Sequence, residues 1–170
     1  MRRKDREMSE DFALQIVDKC DYGTMALVGA DGNPYCIPIT LVRDQDWIYI
    51  HSAKEGEKVQ SLKQNPNVCI SCVGDTHKPH DKFTTEYESA VVRGKAEEVT
   101  EKDEMIHGLR LLCQRHSPSN MKEFDAAISG SLFRTGVWKI HIDSITGKRK
   151  KYGRDGKELK YGKMEDEQHD

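Results

Sequence analysis

Six short runs rich in β-branched and aromatic residues constrain this chain more than any other feature. Residues 24–29, 35–42 and 47–51 come first, separated by Ala30-Asp31-Gly32-Asn33 and by Arg43-Asp44-Gln45-Asp46. Gly and Asn tolerate positive φ, so the first link reads as a tight turn. Together the three runs predict an antiparallel meander. Residues 68–73 follow, then a long run over 85–99 that a bend near Gly94 would interrupt. The segment VWKIHIDSI, 137–145, alternates apolar with polar and reads as a last strand.

Helical patterns lie between these runs. Ser9 can accept from free first-turn amides, and Phe12, Ala13, Ile16, Val17 and Cys20 then share one face. Thr100 opens a second helix through Met105, Ile106, Leu109, Leu112 and Cys113. A third, over 120–129, carries Met121, Phe124 and Ile128 on one side. About six short strands with helices at the start, after the third strand and before the last predict a mainly β fold. Its architecture is a small antiparallel barrel with peripheral helices.

Composition narrows the function classes. A length of 170 residues fits one domain, assigned to residues 1–150. A net charge of −2 lacks the basic excess of a nucleic-acid binder. The stretch KRKKYGRDGKELKYGK over 148–163 is basic, then acidic residues follow. Residues 151–170 therefore read as a mixed-charge tail, solvated and disordered or packed on a partner subunit. No apolar run approaches the ~20 residues of a membrane span, and MRRKDREMSEDF lacks the apolar centre of a signal peptide. Five cysteines, an odd number without a regular framework, point to a reducing compartment. A soluble, cytoplasmic protein is the expectation.

The most telling stretch is IYIHSAKEGEKVQSLKQNPNVCI, 48–70. A strand ends on His51-Ser52-Ala53, and a short helix starts near 55–57 and stops at Asn65-Pro66. A helix start offers free amides and the positive end of its dipole. Ser52 and Lys54 precede it and Lys58 lies in its first turn, which suits a phosphate. The same residues also fit a solvated helix start with surface lysines. This is no Walker A loop, since the Gly-Lys-Ser/Thr ending is missing. Upstream, Pro34 and Pro38 fall within one strand. Proline cannot donate to a ladder, so that strand is an edge or is interrupted, which frees backbone groups to face a planar ligand.

Cys69-x-x-Cys72 followed by His77-x-x-His80 has the donor types of a zinc site. Residues three apart on a strand point to opposite faces, so the two thiolates could not grip one metal. No metal site is therefore assigned. The loop from His77 to Lys82 is a candidate rim for a substrate entrance. No nucleophile elbow or triad is present.

Four segments, GNPYCIPIT, IYIHSAKEGEKVQSLKQNPNVCIS, YESAVVRGKAEEV and VWKIHIDSITGK, occur in the order and spacing of a known group. The chain resembles the nitroimidazole-resistance (Nim) proteins, of the FMN-binding split-barrel group related to pyridoxamine 5′-phosphate oxidase. The resemblance covers residues 10–150. It implies a six-stranded antiparallel split β-barrel that dimerises with FMN at the subunit interface. It also implies that the Pro38-Ile39-Thr40 backbone borders the flavin ring. His51, Ser52 and Ala53 would line the ring and its ribityl chain. Lys58 would reach the phosphate, with Ser89 as a further hydroxyl. Trp138 would be core or would approach the flavin from the second subunit.

The activity so implied is FMN-dependent reduction of small nitroaromatic compounds such as 5-nitroimidazoles, with His51 guiding protons. Two alternatives stand beside it. One is a pyridoxamine 5′-phosphate oxidase-like flavoenzyme, for which no second phosphate site is evident. The other is a non-enzymatic FMN- or haem-binding protein on the same fold. A zinc-stabilised binding module is a more distant third.

Overall fold

The structure is a computed structural model and describes residues 2–161. In chain order its elements are β1 (Glu7–Met8), α1 (Glu10–Lys19), β2 (Gly23–Val28), β3 (Pro34–Ile39), β4 (Val42–Asp44), β5 (Trp47–Ala53), α2 (Glu57–Gln64), β6 (Asn67–His77), β7 (Glu86–Glu98), α3 (Lys102–His116), α4 (Phe124–Ser131) and β8 (Thr135–Lys150). A 3₁₀ segment, Pro118–Glu123, joins α3 to α4. No helix among the described residues is long and apolar enough to cross a membrane.

All pairings are antiparallel, and the sheet runs β3-β2-β6-β7-β8-β5-β4, with β1 added to β8. The fold class is mainly β with helices, as the sequence implies, but the described residues form eight strands rather than six. The extra strands have identifiable causes. The run over 35–42 breaks at Thr40-Leu41, just after Pro38, and yields both β3 and β4. Two residues of the N-terminal segment, Glu7 and Met8, find a free edge on β8 opposite Lys148 and Gly147.

The break also undoes the expected three-strand meander. β2 and β3 do form a hairpin, and so do β4 and β5. The strand carrying His51, however, pairs with β8 and not with β3. β3 and β4 are thus the two outer edges of the sheet, yet only Thr40 and Leu41 lie between them. Three residue steps span at most about 11 Å. The sheet must therefore curl until its edges approach at this corner, while they stay unpaired elsewhere. That is a split barrel: an open ladder wrapped round a core.

Ser9 caps α1, its Oγ accepting from the Phe12 amide at 3.1 Å. The helix buries Phe12, Ala13, Ile16 and Val17 against the main core, which Met25, Ile48, Ile50, Ile70, Val92 and Ile140 complete. Ile16 is 1% exposed. Truncating such a residue to alanine costs about 2–5 kcal/mol, transfer and cavity terms together. A second, smaller core holds α3 and α4 to the sheet through Tyr49, Leu109, Leu112, Phe124 and Val137. The bend expected near Gly94 is a register shift between Arg93 and Gly94 in the β7–β8 ladder. A Cβ there would come within 1.9 Å of the His141 carbonyl oxygen, which only glycine avoids.

Part of the expected tail is built into the fold. Tyr152 bridges Glu158, and Glu158 Oε1 accepts from Arg6 Nε at 2.5 Å. Lys160 reaches Asp5 and Glu158, each at 2.9 Å, and the Tyr161 amide donates to the Asp5 carbonyl. Of the mixed charges of 151–161, Glu158 and Lys160 thus face the N-terminal segment of the same chain. Residues 162–170 lie outside the described residues.

Candidate functional site

The strand-to-helix turn after β5 begins with simple alternation. His51 and Ala53 face outward and are exposed, while Ser52 between them is buried. The same holds one strand over: Pro38 and Thr40 are exposed and Ile39 is buried at 6%. Thr40 and His51 line one concavity of about 710 Å³. Its far wall comes from α3, α4 and the start of β8, through His116, Phe124, Ile128 and Thr135.

His51 is open to this space on one side and crowded by protein on the other. Partial burial, then the charge of Lys58, then that of His116 hold its pKa below the ordinary 6.5. Lys58, in the first turn of α2, points back and donates to the His51 carbonyl at 3.3 Å. Burial alone lowers the pKa of its ammonium. No carboxylate pairs with Lys58 among the described residues. Gly56 enters α2 at φ +113°, a conformation that favours glycine, and no side chain caps the helix. The first-turn amides are therefore available beside a lysine without an ion-pair partner. This donor set fits a phosphate, and the apolar wall opposite Thr40 and His51 fits a planar ring.

Several residues predicted for the site lie elsewhere. The Ser52 hydroxyl turns inward and donates to the Ala53 carbonyl at 2.5 Å. It is not presented with Lys58, because neighbouring residues on a strand face opposite ways. Ile39 likewise offers only its backbone. Trp138 is 3% exposed, lies opposite Ile50 and Glu98, and belongs to the main core. Within one chain it is thus a core residue, as one of its two sequence readings has it. Ser89 lies opposite Lys148 on β8, whereas His51 lies opposite Val137. Those partners are eleven residues apart on β8, about 36 Å of strand path. Ser89 is thus separate from the His51–Lys58 group within one chain. Cys72 is fully buried and Cys69 is partly exposed, on alternate faces of β6 as their spacing requires.

The sequence reading missed the helical wall. The amphipathic faces of α3 and α4 say that these helices cover something apolar, not which part of the sheet they cover. It also passed over His116, whose ring nitrogen Nε2 is 2.9 Å from the Leu41 carbonyl oxygen. A carbonyl only accepts, so Nε2 carries the hydrogen. A histidine in the last turn of an apolar helix was the available signal.

With this geometry in view, the relatives become informative. The pyridoxamine 5′-phosphate oxidase family profile matches residues 9–149. Among solved structures the chain resembles a candidate 5-nitroimidazole antibiotic resistance protein from Bacteroides thetaiotaomicron, at 27% identity and TM-score 0.70. That match covers 83% of this chain and 84% of the other. Two further structures share the fold at lower identity. One is an FAD and haem binding protein from Mycobacterium smegmatis, at 22% identity and TM-score 0.72, covering 85% of this chain and 73% of that one. The other is a flavocytochrome from Azotobacter vinelandii, at 17% identity and TM-score 0.72, covering 85% and 68%. No curated protein matches the chain. With 141 consecutive residues spanned by the family profile, the chain belongs to the pyridoxamine 5′-phosphate oxidase family.

Proposed function

We propose that this protein is an FMN-dependent reductase of small nitroaromatic compounds, of the 5-nitroimidazole reductase type, acting as a cytoplasmic homodimer. The observation that carries this reading is the juxtaposition around His51. A half-buried lysine without a carboxylate partner and an uncapped helix start stand on one side of it, and an apolar concavity of about 710 Å³ on the other. The likeness to the Bacteroides protein supports the nitro-compound reading.

In this reading Lys58 and the first amides of α2 hold the FMN phosphate. The backbone of Pro38-Ile39-Thr40 borders the ring, and His51 and Ala53 line it. Bound FMN supplies the electrons. The chain's own work is to orient an acceptor against Phe124 and Ile128 and to manage protons. At neutral pH a depressed His51 is the neutral imidazole, which orients an acceptor through its N–H; its donating cationic form grows as pH falls. Ser89 takes part only if it comes from the second copy, which agrees with FMN at a subunit interface. An obligate interface of that kind buries upwards of ~2,000 Å².

The test is purification followed by anaerobic assay. Bound FMN released by denaturation, bleaching by a nicotinamide donor and consumption of a 5-nitroimidazole are expected, with a dimer in sedimentation. Failure to take up FMN on reconstitution would sink the reading. A second reading, a haem-binding protein without reductase activity, draws on the two histidines that line the apolar concavity. A strong Soret band in place of flavin absorption would favour it. Pyridoxamine 5′-phosphate oxidase-like turnover is the enzymatic alternative, and a direct assay with that substrate separates it.

A further inference from the structure

The concavity holds two histidines, and only His51 has a place in the proposed chemistry. His116 ends α3, is partly buried, and spends one nitrogen on the Leu41 carbonyl at 2.9 Å. Leu41 is no ordinary anchor. It is fully buried, and with Thr40 it forms the two-residue link between the outer edges of the sheet. The bond therefore fastens the end of a helix to the corner where the split barrel comes nearest to closing. Thr40, immediately before Leu41, faces the same space as His51.

We infer that His116 is a positioning residue of this site: it pins the Thr40-Leu41 corner through its Nε2–H and sets the charge that His51 meets across the concavity. The two imidazoles line one largely apolar space, so a charge on His116 opposes protonation of His51. The direction of the His51 shift agrees, with His116 among its causes after burial and Lys58. The other charged groups facing His51 are Lys58 from α2 and Glu123 from the segment before α4. Lys54 and Glu55 are exposed on its own turn. Glu123 lines the concavity but is not among the causes of the shift. His116 is then the second group, beside the ammonium of Lys58, whose charge opposes protonation of His51. The pair gives the site a proton-dependent charge that a single histidine would not have.

This inference deepens the reading of His51 as the proton-handling group, and its test needs neither flavin turnover nor a nitro substrate. The histidine ring signals of the full-length protein are titrated by NMR, as purified, in the parent and in two variants. His116→Gln keeps a donor for the Leu41 carbonyl and removes the imidazole. His116→Ala removes both. In both variants the His51 midpoint should rise by roughly a few tenths of a pH unit, the size expected for loss of one solvent-screened charge. Only His116→Ala should speed amide exchange at the bonded positions flanking the link, in β3 and β4. A His51 midpoint unchanged in both variants overturns the inference. So does a midpoint that moves in His116→Ala and is restored in His116→Gln, which would make His116 a structural tie alone. Loss of nitro reduction with the predicted titration intact would fault the proposed activity and leave the pairing of the histidines standing.

Discussion

The charge cluster beside β1 and the group round His51 handle charge in opposite ways. At the end where β1, β7 and β8 meet the C-terminal segment, charges are spent on one another. Arg6 and Lys160 both hold Glu158, Arg3 and Lys160 hold Asp5, and Lys19 holds Glu88 at 2.5 Å. At the other end, Lys58 has a backbone carbonyl for its partner and His51 faces a concavity. Polar groups left without charged partners beside an apolar wall are costly for stability and useful for binding. The matched end ties the segment 151–161 to Arg3, Asp5 and Arg6, and the unmatched end is where a ligand's own charge would complete the arrangement.

The sharpest test of this contrast is His51→Ala. It should leave FMN bound, because Lys58 and the α2 amides are untouched, and slow nitro reduction per bound flavin by roughly 10²-fold or more, the usual worth of a positioned acid–base group. The parent's rate should rise as pH falls through a midpoint below 6.5, since burial and the nearby cations depress His51. The variant should lose that inflection. Full turnover per flavin with an unchanged pH profile would make His51 a mere strand end.

Lys58→Glu should come next in size. Loss of one charge-assisted bond to the phosphate is worth about 1.5–3 kcal/mol, or tenfold to a hundredfold in FMN affinity. Fluorescence titration with FMN measures it. Unchanged affinity would move the phosphate toward Lys54, and the contrast between the two ends would lose its meaning.

Glu158→Gln probes the matched end. Arg6 and Glu158 are largely enclosed, with side chains 13% and 19% exposed, so the loss should reach about 1 kcal/mol, at the upper end for a pair near the surface. Equilibrium urea unfolding reads it, and nitro reduction per flavin should not change. A larger effect on turnover than on stability would show that the two ends are coupled.

The smallest expected effect is on pH. Arg6 above all, then Lys160, pulls the Glu158 carboxyl from 4.5 to about 2. A carboxylate depressed in the folded state contributes its full stability above the unfolded value. That contribution fades as pH falls from 4.5 toward 2. The unfolding midpoint of the parent should therefore drop over this range more than that of Glu158→Gln. Parallel pH curves for the two proteins would show that the pair contributes nothing.

Much of this was legible along the chain. The Ser9 cap, the apolar face from Phe12 to Val17, the turn at 30–33 and the irregularity at Gly94 are local matters, decided within a few residues. The strand alternation that turns Ser52 away from His51 was also local, and its consequence for the phosphate was legible there too. The break at Thr40-Leu41 was signalled by Pro38, but not its outcome, since proline says that a ladder stops and not where the chain goes next.

By itself, then, the sequence determined the kinds of element, their faces and a strand-to-helix turn rich in donors, because each follows from backbone sterics and the period of apolar residues. Only the tertiary structure decided that β5 pairs with β8, that β3 and β4 become edges joined by two residues, and that α3 and α4 lie over His51. It alone placed the C-terminal segment against Asp5 and Arg6, and His116 against Leu41. Those choices depend on contacts between residues tens of positions apart. Their free energy comes from burying faces against each other, and a face carries no address for its partner until the chain is folded.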